Sequence, residues 1–400
     1  MMPGGAGEGR LQIRIEIHHG VIGKVALSST RPLGLPAALA GRELSAALNL
    51  LPRLFSLCGM AQTVTGLTAV ETALGFTPAP PQIAARHILV AAEALEQTAW
   101  QLLLEGPRCI GVTPAFERLK RLRSLIAALR PQLFPDPSWN RIGGAQLQPD
   151  QVGLAATLTA IAECLQPAIW GEPALGQPWQ ERRDFEDWLS RAATPAAALL
   201  RQVQDCGLAN FGRCTIQPLP TFDPPRLAQR LAGDDSQTFC AQPDWEGVVH
   251  ETGALARRWN EPLITALRTD HGNGLLTRWA ARALESHALL AELREGLHTI
   301  VAQPGAAVGA TATGAGLGVV ECARGRLAHW VAVAAGRVSQ YRILAPTEWN
   351  FHPDGPLTQG LIETRIGQPA LIQHAATLLV AALDPCVGFD LHVRQSPSLS

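Results

Sequence analysis

Two short cysteine-bearing segments stand near opposite ends of this chain, Leu57-Cys58-Gly59-Met60-Ala61 and Asp384-Pro385-Cys386-Val387-Gly388-Phe389. A thiolate from each, brought together by the fold, could bind a soft metal or form a redox pair. Kept apart, each is an inert packing residue. A glycine close to each, Gly59 or Gly388, leaves room beside the sulfur. Between the two lie Glu321-Cys322-Ala323-Arg324-Gly325 and Pro346-Thr347-Glu348-Trp349-Asn350. The Arg324 guanidinium, set among small residues, offers five donors to an anion or an acceptor ligand, or a salt bridge to Glu321. Thr347 follows Pro346 in a restricted turn, where its hydroxyl can donate inward or satisfy the turn. His392 could ligate a metal or simply fray with the end of the chain.

Composition bounds what can position these groups. The chain has 400 residues, 47% hydrophobic and 17% charged, which allows a sizeable core and excludes wholesale disorder. A formal net charge of -1 argues against a nucleic-acid partner held by bulk attraction. The eight cysteines form no Cys-x-x-Cys pair, so a zinc ribbon is disfavoured and most read as reduced core thiols. Met1–Arg10 is Gly-rich with no apolar run behind a basic start, so no signal peptide is expected. No uncharged apolar run is long enough for a membrane span. The expected location is the cytoplasm, without membrane insertion.

The elements follow from periodicity. Residues Leu11–Ser29 alternate through Ile13, Ile15 and Ile17 and predict a β-hairpin turning near His19-Gly20. Leu35–Cys58 reads as helix, with a break near Asn49–Leu51 imposed by Pro52. Ala61–Leu74 and Ile83–Leu104 read as helices separated by Pro78, Pro80 and Pro81, and Lys120–Leu129 as a short one. Gln151–Leu165, Arg182–Leu208, Glu251–Arg257, Leu275–Val301 and Ile362–Leu383 are helical in pattern. Pro131–Gly144 and Pro218–Asp244, rich in Pro, Asp and Gly, read as surface loops. Three strands are expected at Gly318–Cys322, Leu327–Ala334 and Val338–Leu344, with Gly325 and Gly336 at the turns. The Gly-rich stretch Gly305–Gly318 lacks a lysine and a following helix, so it reads as a loop leading into a strand and not as a phosphate loop.

The joint order of the segments carries a resemblance. His250-Glu251-Thr252-Gly253-Ala254-Leu255-Ala256-Arg257 resembles the Glu-Thr-Gly-Pro-Leu-Ala-Arg segment of nickel-iron hydrogenase large subunits. Glu321–Gly325 resembles their Glu-Ala-Pro-Arg-Gly, Tyr341–Asn350 their strand leading into Pro-Thr/Ser-Thr-Trp-Asn, and Asp384–His392 their closing Asp-Pro-Cys-x-x-Cys-x-x-His. The likeness is poor through Pro107–Asp244. In that family each end supplies a Cys-x-x-Cys pair. Here the second cysteine of each pair is replaced, by Ala61 and Phe389, and a histidine expected after the first pair is Thr65.

The resemblance implies roles position by position. Cys58 and Cys386 match terminal nickel ligands of the enzymes, whereas Ala61 and Phe389 stand where cysteines bridge nickel to iron. Arg324 and Thr347, the latter after Pro346, match residues that hydrogen-bond iron-bound cyanides, and Leu327 matches an apolar residue on the carbon monoxide side. A chain that keeps these but loses the bridging thiolates resembles the HupK/HoxV accessory proteins of hydrogenase maturation. The implied fold is mainly α with a minor β component: a large-subunit-like helical bundle with a β-rich N-terminal edge and a β patch at Gly318–Leu344. Residues 1–400 would form a single domain, with 107–244 a divergent, loop-rich lobe inside it. The implied role is a transient carrier of an Fe(CN)2(CO) unit, without nickel. Its partners would be maturation factors of the HypC/HypD type and the apo large subunit. A metal-free chaperone mimicking the large subunit is the second reading, and a degenerate hydrogenase the third.

Overall fold

In the computed structural model, residues 9–30, 36–171, 179, 181–306, 313–365 and 369–395 are described. Strand β1 (Arg10–His18) buries Ile13, Ile15 and Ile17, the face its alternation marks. It turns through His19 and Gly20, at φ 51° and 76°, into β2 (Val21–Ser29). Two successive positive φ values are what a two-residue hairpin requires.

Helix α1 (Leu44–Leu54) keeps Pro52 inside its last turn and ends at Phe55, so the expected break at Asn49–Leu51 is not there. So near the C-terminus the proline interrupts little of the helix. Next come α2 (Gly59–Ala73), α3 (Pro80–Trp100) and the single turn α4 (Gly106–Cys109). Gly59 has a local reason: a Cβ there would lie 3.1 Å from the Cβ of Pro52.

Helix α5 (Phe116–Leu133) is longer than its apolar pattern suggested, and α6 (Gln151–Leu165) matches its prediction. The stretch 182–208 is divided into α7 (Arg182–Arg191) and α8 (Pro195–Asp205). Thr194 accepts the Ala197 N–H at 3.1 Å and Pro195 takes the first helical position, which starts a new helix. The region read as a loop over Pro218–Asp244 carries two helices, α9 (Pro224–Ala232), capped by Asp223, and α10 (Ser236–Ala241). The described residues of 107–244 are thus largely helical. Its Leu122, Leu154 and Leu200 share one apolar core with Leu67 and Trp279. The helical run Gln151–Trp170 is long and apolar enough to cross a membrane, with mean hydropathy 1.4. It buries Leu154, Ile161, Leu165 and Ile169 against the rest of the fold, as a core helix does.

Helices α11 (Ala254–Arg257), α12 (Pro262–His271) and α13 (Leu275–Leu297) precede an antiparallel meander of β3 (Gly314–Cys322), β4 (Gly325–Ala334) and β5 (Arg337–Leu344). Residues 307–312 of the Gly-rich stretch lie outside the described residues, and from Gly314 onward it is already strand. Its glycines alternate for a packing reason. A Cβ on Gly314, Gly316 or Gly318 would come within 2.3, 2.1 or 2.1 Å of a carbonyl of α2, at Ala73, Ala69 and Thr65. Bare backbone on that face lets α2 lie directly on β3.

The chain closes with α14 (Pro346–Asn350), α15 (Pro356–Leu361), α16 (Pro369–Leu383) and β6 (Gly388–Gln395). Strand β6 was not anticipated. It pairs in parallel with β1 to complete the sheet order β2-β1-β6. His392 is therefore a strand residue opposite Arg14, exposed, and not a fraying end.

Candidate functional site

Cys58 stands immediately before α2, partly buried. One turn on, Gln62 donates from Nε2 to the Cys58 sulfur at 3.6 Å. The N–H groups of Met60 and Ala61, among those a helix start leaves without intrahelical partners, donate to the two oxygens of Glu93 at 2.8 and 3.0 Å. Burial pushes the Glu93 carboxyl up to about 7, against the pull of those two N–H bonds and of Arg324. Ala61 is fully buried at the position where the resembling enzymes have a cysteine.

The other half is assembled from segments far apart in the chain. Arg324 occupies the two-residue tip between β3 and β4. Gly325 follows at φ 130°, where a Cβ would strike the side chain of Thr252 at 2.3 Å. Thr252 accepts the Arg326 N–H at 3.0 Å and exchanges hydrogen bonds with Asn350, which also donates to the Leu383 carbonyl. Arg257 donates to the carbonyls of Cys322 (3.0 Å) and Ala323 (3.2 Å) while pairing with Glu285 at 2.6 Å. This clamp fixes the hairpin tip that presents Arg324.

Arg324 donates to Gln97 and lies 3.5 Å from Asp384. Asp384 also takes a hydrogen bond from Gln101 at 2.6 Å and pairs with Arg282 at 3.4 Å. Pro346 opens α14 and sets the backbone of Thr347. The Thr347 hydroxyl oxygen accepts the Cys386 N–H at 3.2 Å, and its own hydrogen remains to donate. Leu327 is buried on β4 opposite Val320.

Cys58, Cys386 and Arg324 lie within electrostatic reach of one another. Burial raises the Cys58 thiol far above its usual range, neighbouring Cys322, Glu93 and Cys386 add to the rise, and Arg324 opposes it. Cys322, read from sequence as bland packing, is thus a third thiol at the site. It donates to the Gly325 carbonyl at 3.1 Å and burial pushes it up to about 11. Burial works against the Arg324 charge, and the Asp384 carboxylate foremost offsets it.

A cleft of about 460 Å3 opens beside Arg324, walled by Glu93, Gln97, Gln101 and Asp384 and by Pro385 and Phe389. Phe389, where the enzymes have their second cysteine, is held in β6 opposite Leu11, its carbonyl accepting Arg10 at 3.0 Å.

Sequence reasoning missed two polar stripes. Glu93, Gln97 and Gln101 are spaced four apart along one side of α3 and its continuation, and each reaches a different part of the site. Arg278, Arg282 and Glu285 do the same from α13, bonding Glu251, Asp384 and Arg257. The signal was there: polar residues at helical spacing within otherwise apolar helices.

Among the described residues no group of three or more His, Cys, Asp or Glu is arranged to hold a metal ion. The polar groups are nevertheless only partly satisfied: Arg324 Nε, Gln62 Oε1 and Gln101 Oε1 are buried without a hydrogen-bond partner. A soft metal with acceptor ligands would meet the Cys58 and Cys386 thiols and the unspent Arg324 Nε–H donor here.

Fold and site together define a hydrogenase-large-subunit-like protein. A family model for nickel-dependent hydrogenases matches residues 212–392. The Ni-Fe-Se hydrogenase from Desulfomicrobium baculatum, in a reduced, active form, superimposes with a TM-score of 0.69 at 15% identity, covering 93% of this chain and 95% of that one. At that identity the likeness speaks of the fold. Two curated relatives are closer. The hydrogenase expression/formation protein HupK of Rhizobium leguminosarum bv. viciae is 30% identical, covering 98% of both chains. The hydrogenase expression/formation protein HoxV of Cupriavidus necator is 33% identical, covering 92% of this chain and 93% of its own. The chain belongs to this HupK/HoxV family.

Proposed function

We propose that this protein acts in hydrogenase maturation as a transient carrier for an Fe(CN)2(CO) unit, receiving it from factors of the HypC/HypD type and passing it to the apo large subunit in the cytoplasm. The observation that carries this reading is a juxtaposition. Cys58, Cys386, Arg324 and Thr347 gather at one site, while the bridging positions are Ala61 and Phe389.

Low-spin iron(II) with cyanide and carbonyl ligands accepts thiolates readily. Two thiolates and three diatomic ligands leave one of six positions open, which ligand exchange with a donor or acceptor protein needs. Binding deprotonates the thiols, so loading releases protons, and the Arg324 charge offsets the anionic complex. Arg324 and the Thr347 hydroxyl suit the acceptor nitrogens of cyanide, and Leu327 offers an apolar wall. With half the thiolates of the resembling enzymes, retention is weaker, as a carrier requires. Nickel is not expected, nor H2 turnover, since the thiols that join nickel to iron are missing.

A metal-free assembly chaperone is the second reading, favoured by the burial that raises the proton affinity of Cys58. The test is a maturation assay in cells lacking their own copy. The Cys58→Ser/Cys386→Ser variant should accumulate at the wild-type level yet leave the hydrogenase large subunit immature. Full maturation with both thiols absent would contradict the carrier and favour the chaperone.

A further inference from the structure

Gln62 belongs to none of the motifs that carry the family resemblance, yet it is placed at the site by helix geometry. It sits four residues after Cys58, so its side chain returns along α2 toward that sulfur. It is 2% exposed. Its Nε2 donates to Cys58 Sγ at 3.6 Å, while its Oε1 is buried with no partner. An unsatisfied buried amide oxygen costs free energy that an ordinary core residue would avoid. A leucine or methionine would fill the same space without that cost, so the amide has a use beyond packing.

We propose that Gln62 is a cargo-positioning residue: its carboxamide N–H holds the Cys58 sulfur where it would bind the iron. A thiolate is an acceptor only and takes the Nε2–H bond the structure displays. In the loaded state the N–H bond withdraws electron density from the sulfur. Less density then reaches the iron and is passed back into bound carbon monoxide. Gln62 therefore fixes the Cys58 sulfur in place and sets its donor strength.

This inference rests on the carrier reading, and the experiment separates the two. Wild-type protein and Gln62→Met, each co-expressed with the maturation machinery and purified anaerobically, are compared by infrared spectroscopy and by iron retained during incubation with excess competing thiol. Methionine preserves volume without the amide. The expected result is a carbonyl band at lower frequency in the variant, with cyanide bands moving the same way, and faster iron loss. Gln62→Glu, isosteric but unable to donate when ionised, should shift the bands in the same direction and serves if Gln62→Met does not fold. Bands present in wild type and unmoved in both variants, with equal retention, would overturn the Gln62 assignment alone. A wild-type protein without bands would overturn the carrier reading and the assignment together.

Discussion

Cys386 and Cys58 sit in two differently built halves of one site. Around Cys386, Asp384 is 1% exposed and is ringed by Arg282, Arg324 and Gln101. Thr347 and Asn350 tie the adjoining backbone. Around Cys58, among the described residues, there is no ion pair of that kind. Its helix start is held by the Glu93 carboxyl on two N–H groups and by the direct packing of α2 on β3. One half is fixed by a buried charge network, the other by a cap and a glycine face. A buried network is costly to break, whereas a cap yields for about 1 kcal/mol. The Cys386 side is therefore the fixed jaw, and the Cys58 side the more adjustable one.

The largest effect should come from breaking the fixed jaw. Asp384→Ala strands two buried guanidinium groups and should cost about 3–5 kcal/mol in urea unfolding. A loss near zero would deny the network its role. Next, Gly316→Ala pushes a Cβ into the Ala69 carbonyl region of α2 and should cost about 1–3 kcal/mol. Its loss of iron retention should exceed what that destabilisation alone produces, because the Cys58 helix is displaced.

Glu93 sharpens the contrast through pH. Its folded value of about 7 lies above the ordinary carboxyl value of 4.5, so the folded state holds the proton more tightly. Stability from this group is present below pH 4.5 and is lost as pH rises through 7. Removing the titration by Glu93→Gln should therefore favour the variant, relative to wild type, by on the order of 2 kcal/mol more at pH 8 than at pH 5. Thermal melts of both proteins at the two pH values measure this, and parallel curves would contradict it. The smallest effect is expected for Thr347→Val, which leaves the Cys386 N–H without its acceptor at a cost of about 1 kcal/mol. Its signature should be a moved cyanide band more than lost stability.

Much of the Cys386 half was legible in the chain. Arg324, Thr347 and Asp384–Cys386 lie in short contiguous segments whose order the resemblance could match. The Ile13–Ile17 alternation likewise announced its hairpin. The Cys58 half was less legible because what holds its helix start comes from another helix: Glu93 lies within an apolar periodicity that reads as core. Strand β6 was missed because its partner β1 is at the other end of the chain, and parallel pairing of distant segments leaves no local turn signal. The helices in Pro218–Asp244 were hidden by their prolines, which open α9 at its first turn. They were also hidden because their apolar partners, Trp330 and Trp349, are far along the sequence.

The most direct test of the central claim is infrared spectroscopy of the protein purified anaerobically after co-expression with the maturation machinery, beside its Cys58→Ala/Cys386→Ala variant. The carrier account predicts cyanide and carbonyl bands in the wild type that vanish in the folded variant. Bands absent from both, or retained when both thiols are gone, would contradict it.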